Sequence, residues 1–361
     1  MPDPVTERAV LAALSAVQDP DLRRDIVSLG FVKNVSIDGG RVAFSIELTT
    51  PACPVKDQMR EQARTAVLRL PGVAEVDVTM TAAVRAAAIP DATRAPVPGV
   101  RNIIAVGAGK GGVGKTTVAV NLATALASRG SRVGLLDGDI YGPNVPIMLG
   151  LRTQLATDGR KIVPAEKYGL QVVSMGFLTG DDSAVIWRGP MLHGAIQQFF
   201  RDVGWNDLDY LIVDMPPGTG DVALSLAQTV PVSGAIVVTT PQVVSLADTR
   251  RAVRMYQKLN IRTLGVIENM SYFACPGCGT ESDIFGRGAA ARLAEELGVP
   301  LLGSVPIYQP IREGGDRGEP IVIAEPESPA ARALFSVAEQ AAAQVSIASF
   351  SRPTIPLTAV P

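Results

Sequence analysis

Histidine is nearly missing from this chain: His193 is the single one in 361 residues. A histidine-built metal site and a catalytic histidine pair are therefore excluded within one chain, and His193 itself reads as a structural or surface residue. Cysteine is almost as scarce. Cys53, Cys275 and Cys278 are the only three, which makes no disulfide framework and leaves thiols that act as ligands or nucleophiles in a reducing compartment. No charge of one sign dominates either. Lys and Arg number 33 against 35 Asp and Glu, a net charge of -2, so no global basic field attracts nucleic acid or an anionic membrane. No apolar run reaches membrane-spanning length, and Met1 to Arg8 lacks the pattern of a secretory signal. A cytoplasmic location, with neither nucleic acid nor membrane as partner, is the expectation. What is present, 47% hydrophobic and 19% charged residues, suits a globular protein long enough for one large and one smaller domain.

One stretch organises the rest: Gly107-Ala108-Gly109-Lys110-Gly111-Gly112-Val113-Gly114-Lys115-Thr116-Thr117. The apolar run Ile103 to Val106 before it reads as a buried strand. Thr116 to Arg129 after it carries Val118, Leu122, Ala125 and Leu126 at helical spacing. Strand, glycine loop and helix are the context of a phosphate-binding loop, and Gly109, Gly114, Lys115 and Thr116 match G-x-x-x-x-G-K-[ST]. Glycines let backbone N–H groups turn inward on a phosphate, and the helix N-terminus adds a favourable dipole. Lys115 would reach the outer phosphates and the Thr116 hydroxyl would hold Mg²⁺.

Before that loop, helical spacing over Val5 to Val17, strand-like runs at Phe31 to Ile37 and Arg41 to Leu48, a helical run from Val55 to Leu70 and an alternating Val73 to Met80 describe an α-β-β-α-β unit. Asp38-Gly39-Gly40 is its hairpin turn. Cys53 lies where a loop enters the helix, a position that can lower a thiol pKa; an inert, partly buried cysteine is the other reading. Ala- and Pro-rich residues from Arg85 to Val100 read as a linker. The expected organisation is a small domain over residues 1–84, a linker over 85–100, a nucleotide-binding domain over 101–346 and a frayed tail over 347–361. Ser328-Pro329 should start a last helix that runs to about Val345.

Within the large domain, Arg132 to Leu136 is a buried strand ending in Asp137-Gly138-Asp139, two acids that would lie beside the phosphates. Asp137 is read as a support for the Mg²⁺ shell or for its own loop. Tyr210 to Val213 is a second buried strand, and it ends in Asp214, the pattern of a carboxylate holding the Mg²⁺ water shell. Met215 to Asp221 follows as a glycine-rich switch that would sense the terminal phosphate, with Asp221 capping the helix that continues to Gln228. Further on, Leu264 to Met270 is a strand with Asn269 at its end. Cys275-Pro276-Gly277-Cys278-Gly279 has the shape of a metal knuckle. Two thiolates this close can grip one centre, but a thiolate-ligated centre normally takes four ligands. Two chains about a twofold axis would supply four. An iron–sulfur cluster and structural zinc both fit that arithmetic.

Lys110 gives the loop the K-G-G-x-G-K-[ST] form that resembles the deviant phosphate loop of the MinD, ParA and nitrogenase iron-protein class. Gly109 to Thr117, Asp137 to Pro143, Asp214 to Asp221, Glu268 to Met270 and Cys275 to Gly279 together resemble the Mrp/ApbC family of iron–sulfur carrier ATPases. Asp19-Pro20, Gly30 and Thr49 to Pro54 resemble the small domain that often precedes it. Ala108 departs from the serine usual there. The resemblance implies an α/β fold, a mostly parallel doubly wound P-loop NTPase sheet with a small N-terminal α+β domain. It implies ATP and Mg²⁺ as ligands, bound by Gly109, Gly111, Gly112, Val113, Gly114, Lys115, Thr116, Thr117, Asp214 and Asn269, with Asn269 on the adenine. It makes Lys110, Lys115 and Asp139 the catalytic residues, Lys110 acting across a homodimer and Asp139 orienting the attacking water. It assigns Cys275 and Cys278 of two subunits to a labile [4Fe-4S] cluster, delivered to apo iron–sulfur proteins and loaded from a cluster assembly scaffold. The competing expectation is a targeting or partitioning ATPase of the tail-anchored-protein, MinD or ParA type, with zinc or no metal at the two cysteines.

Overall fold

The computed structural model describes residues 5–87, 96–139, 142–177, 189–220, 223–224, 227–228, 231–275 and 277–350. Ile140, Tyr141, Trp187, Arg188, Asp221, Pro276, the middle of the expected linker and the chain after Phe350 lie outside them. The chain divides into two compact units, Met1–Arg85 and Ala86–Pro361.

In the first unit, Thr6 caps the helix Glu7–Leu14 by accepting the Ala9 N–H at 3.2 Å. Val32–Asp38 and Arg41–Leu48 form an antiparallel hairpin across Gly39 and Gly40, and Glu75–Ala82 adds a parallel third strand. Val42, Phe44, Ile46 and Leu48 alternate inward along the central strand, as a half-buried strand must. The helix Lys56–Leu68 covers that unit's sheet with Met59, Ala63 and Val67 at i, i+4 and i+8. Cys53, in the loop that enters this helix, is buried.

The second unit is built on eight strands. In spatial order they are Ala165–Lys167, Leu170–Ser174, Val133–Asp137, Leu208–Asp214, Val100–Ala108, Gly234–Thr239, Thr263–Glu268 and Leu301–Ser304. All run parallel except the edge strand Ala165–Lys167. The central strands are buried along their whole length and mostly apolar, because both faces are covered. Lys115–Ser128 and Pro329–Phe350 pack together on the sheet, the former on the loop strand and on Leu208–Asp214 and Val133–Asp137 to one side of it. Tyr256, Phe199, Trp205, Ala290 and Ala294, from other helices and a loop, pack with Leu211, Val213, Val237 and Val266 into one apolar core. The fold is therefore the mostly parallel, doubly wound α/β sheet that the sequence implied.

Gly189 and Pro190 open the helix Gly189–Arg201, and two expected boundaries move. Asn269 and Met270 lie past their strand, which stops at Glu268. The last helix starts where Ser328 Oγ accepts the Ala331 N–H at 3.2 Å, and it reaches Phe350 instead of Val345. Ser346 and Ala348 keep one side of that extension buried, continuing Ala341, Ala342 and Val345, and burial against the fold, more than propensity, decides where a helix ends.

Candidate functional site

The loop Gly109 to Gly114 leaves the central strand Val100–Ala108 at its C-terminal end and enters Lys115–Ser128. Neighbouring strands end beside it in Asp137 and Asp214. This is the crevice outside the carboxyl ends of a parallel sheet, where such folds bind ligands. Close approach fixes two of the glycines. A Cβ on Gly109 would lie 2.2 Å from the Asp248 carbonyl carbon. Gly114 has φ +80°, and a Cβ there would lie 2.2 Å from Asn269 Nδ2.

Asp214 is the hub. Its carboxylate is fully buried and accepts from Lys115 Nζ at 2.6 Å and from Thr116 Oγ1 at 2.7 Å. Asp139 stands 3.8 Å from the same ammonium. Burial raises the Asp214 pKa, the charge of Asp139 adds to that, and Lys115 and Thr116 oppose it. Asp137 is buried as well. It accepts the N–H groups of Asp139 at 3.1 Å and Val145 at 3.2 Å, and the Ser174 hydroxyl at 3.0 Å. Burial first, and the charge of Asp214 second, push Asp137 up to about 7. Through these donors its carboxylate holds Asp139, Val145 and Ser174 to the end of its own strand. The glycine-rich switch is fastened to the same place: Gly218 N–H donates to the Ala108 carbonyl at 3.0 Å. Lys110 is half-buried in the loop and enters no ion pair among the described residues.

Asn269 Nδ2 donates to the Val113 carbonyl at 2.8 Å. Its neighbour Met270 has φ +55°, a costly conformation for a residue with a Cβ and one that gathers at functional sites. Both residues line a cavity of about 660 Å³ that also touches Gly114, Thr116, Pro306, Tyr308, Ile284 and Phe285. The cavity is concave, mostly apolar and open to the phosphate loop, as a nucleoside site must be.

The cysteines occupy a hairpin. Phe273–Ala274 pairs with Glu281–Ser282, and the turn between holds both thiols, closed by Cys275 N–H to Thr280 O at 3.0 Å and Gly279 N–H to Cys275 O at 2.8 Å. Cys275 is half-buried and Cys278 exposed. The Thr280 hydroxyl, 3.2 Å from Cys278 Sγ, and the Thr280 N–H hold the Cys278 thiol below its ordinary value. Among the described residues no three metal-ligating side chains of one chain converge. Two thiols on one turn, one exposed and one half-buried, fit half of the four-ligand set that a thiolate-held centre normally takes.

Glu268 had no role assigned from sequence. It is fully buried, and it accepts the Ser271 hydroxyl at 2.6 Å and the N–H groups of Gly288 at 2.9 Å and Ala290 at 2.7 Å. One carboxylate thus ties both ends of the cysteine hairpin and caps the helix Ala289–Leu297. The signal was present in the sequence: an acid closing an otherwise apolar strand, as at Asp214.

Residues 99–342 match the family model described as NUBPL iron-transfer P-loop NTPase, and residues 7–78 match that of the iron-sulfur cluster assembly protein. The chain belongs to the NUBPL iron-transfer P-loop NTPase family. It is 51% identical over 352 residues to an iron-sulfur cluster carrier protein of Synechocystis, covering 96% of this chain and 99% of that one. Among solved structures it resembles a nucleotide-binding protein from Archaeoglobus fulgidus in complex with ADP, at 35% identity and TM-score 0.57, covering 64% of this chain and 91% of that one. It also resembles the Pyrococcus furiosus cell division ATPase MinD, at 28% identity and TM-score 0.51, covering 66% and 97%.

Proposed function

We propose that this member of the iron-transfer family is an ATP-dependent carrier that binds a labile [4Fe-4S] cluster between two copies of the chain, hydrolyses ATP and passes the cluster to apo iron–sulfur proteins. The observation that carries the reading is one cavity with walls from both machineries. Gly114 and Thr116 come from the phosphate loop, and Ile284 and Phe285 from the cysteine hairpin.

Mg²⁺–ATP is the substrate. Its phosphates take the loop N–H groups of Gly109 to Thr117, and Lys115 leaves Asp214 for the outer phosphates. Thr116 and Asp214, already bonded to each other, would hold Mg²⁺ and its waters. Asp139 orients the water that attacks the terminal phosphorus. Charge on the phosphoryl group in flight is met by Lys115 and by the second subunit's copy of Lys110. The base enters the apolar cavity beside Asn269, whose amide can both donate and accept.

The cluster is cargo. Each chain offers Cys275 and Cys278, and two hairpins facing across a twofold axis complete four thiolates. The first unit, proposed as an assembly-type module over residues 1–84 with a linker over 85–100, distinguishes this chain from a MinD-like partitioning ATPase. The Synechocystis carrier matches it along 96% of this chain, whereas the MinD structure covers 66%. No described helix is long and apolar enough to cross a membrane, and the working location is the cytoplasm.

The test is oxygen-free purification and reconstitution, followed by iron, sulfide and zinc analysis, the visible spectrum, phosphate release and transfer to an apoprotein. About two irons per chain, a brown absorbance and ATP turnover are expected. A colourless, zinc-bearing or iron-poor dimer that still hydrolyses ATP would move the protein to the targeting class.

A further inference from the structure

The cysteine hairpin is anchored on one side and free on the other. Its outgoing leg is bonded to the segment after the last sheet strand: Ser271 N–H to Val305 O at 3.0 Å, and Ile307 N–H to Tyr272 O at 2.6 Å. Its base is held by Glu268, which grips Ser271 and Gly288 together. The returning leg, from Ser282 to Gly286, has no such row of bonds to the sheet among the described residues. It carries Ile284 and Phe285, which are 57% and 42% exposed. With Ile147, 60% exposed and lining the same cavity, Ile284 and Phe285 form a cluster and not one stray surface residue, and clustered exposed apolar groups mark binding surfaces. Both line the cavity beside the phosphate loop, and they stand between the Glu268 anchor and the rung Phe273–Ser282 that leads to the thiols.

We propose that Ile284 and Phe285 contact the nucleoside, so that filling the cavity fixes the cysteine turn through the leg that carries them. The inference rests on the nucleotide reading above and deepens it. The thiols then respond to the base more than to phosphate alone, because Ile284 and Phe285 line the cavity with Asn269 and Met270, whereas the strand end that leads into the phosphate loop is bonded to the glycine-rich switch. The occupant is a purine nucleotide. A flat π-face matches Phe285, and base-on-aromatic stacking is a strong, sequence-tolerant contact. Apolar cover comes from Met270 and Ile284, and Asn269 supplies the polar edge. Phe285 and Ile284 are positioning residues toward the cysteines and direct contacts toward the base.

The experiment uses the full chain, reduced and metal-free, with the alkylation rates of Cys275 and Cys278 read separately by peptide mass and buried Cys53 as internal reference. The ligands are MgADP and magnesium pyrophosphate, which share the phosphate seat and differ by the nucleoside. MgADP is expected to slow alkylation of the turn several-fold and pyrophosphate to leave it unchanged. Phe285→Ala should weaken MgADP by about tenfold, the low end of a lost stacking contact. It should leave pyrophosphate affinity unaltered and lose the alkylation response at saturating MgADP, while Phe285→Tyr keeps both. Because Phe285 is exposed, the Ala variant keeps its fold, and its melting curve checks this. If MgADP binds and the thiols react at the same rate, or pyrophosphate slows them equally, this inference alone is overturned. If neither ligand binds, the nucleotide reading falls with it.

Discussion

Asn269 reaches from the end of one strand to hold the loop that grows from another, its Nδ2 2.8 Å from the Val113 carbonyl oxygen. The contact is possible because position 114 has no Cβ. Loop shape and the residue expected to read the base are therefore one device. On the proposed reading a nucleotide entering the cavity meets an Asn269 that is already bonded to the phosphate loop, so base and phosphate sites are set against each other before ligand arrives.

This relationship predicts a strong coupling between two substitutions. Gly114→Ala places a Cβ against Nδ2 and keeps φ at a value that costs an L-residue about 1–2 kcal/mol. Asn269→Ala strips a buried carbonyl of its donor, at about 1–3 kcal/mol. Together they should cost less than the sum, since the second removes the atom with which the first collides. A thermal-denaturation cycle on the four proteins reads the coupling, and simple additivity would show that the contact is incidental.

The proposed role of Lys110 across a dimer predicts complementation. Lys115→Ala should lower the hydrolysis rate by about 10²–10³-fold, the usual loss on removing one preorganised donor. Lys110→Ala should also be poor, although nothing in its own subunit pairs with it among the described residues. Mixed, the two variants form heterodimers in which one site has its own Lys115 and the partner's intact Lys110. Phosphate release should then rise well above either parent. Activity that merely averages the two would remove Lys110 from the neighbouring site.

How much of this was legible before folding depends on the physics of each residue. Lys115, Thr116 and Asp214 announce themselves because phosphate and Mg²⁺ chemistry fixes residue types at fixed spacings. The sheet shows because buried parallel strands are unbroken apolar runs, as Tyr210 to Val213 is. Glu268 shows in the sequence only as an acid closing an apolar run, and its role was hidden: its partners Ser271, Gly288 and Ala290 lie up to 22 positions away, and two are main-chain N–H groups with no sequence signature. Ile284 and Phe285 were invisible for a related reason. They look like ordinary core residues, and only the fold shows that no core covers them.

The cysteine pair gives a third prediction. Cys275→Ser or Cys278→Ser should remove iron from reconstituted protein while MgATP hydrolysis continues, because neither cysteine lies in the phosphate loop or lines the cavity beside it. Cys53→Ala should leave iron content unchanged, since its buried side chain belongs to the other compact unit. Iron assays and visible absorption on the three variants decide it. Iron retained in both turn variants would place the cargo elsewhere.

The last prediction concerns pH. Asp137 has an ordinary value of 3.8 and is pushed up to about 7 in the folded chain. Between those values the folded state holds a proton that the unfolded state has released. That contribution to stability is complete below the unfolded value and is lost as pH rises through about 7. Asp214 is raised in the same direction, and the charges facing the pair are Lys115 and Asp139. The protein free of nucleotide and Mg²⁺ should therefore lose melting temperature between about pH 5 and pH 8. Asp137→Asn, neutral throughout, should flatten that slope and compare better with the parent at the upper end than at the lower. MgATP should flatten it in the parent too, since a divalent cation beside the two carboxylates favours their ionised forms. Melting curves across that range, with and without MgATP, measure both effects. Parallel slopes for parent and variant would mean that Asp137 is already ionised in the folded state, held so by its two N–H donors and the Ser174 hydroxyl.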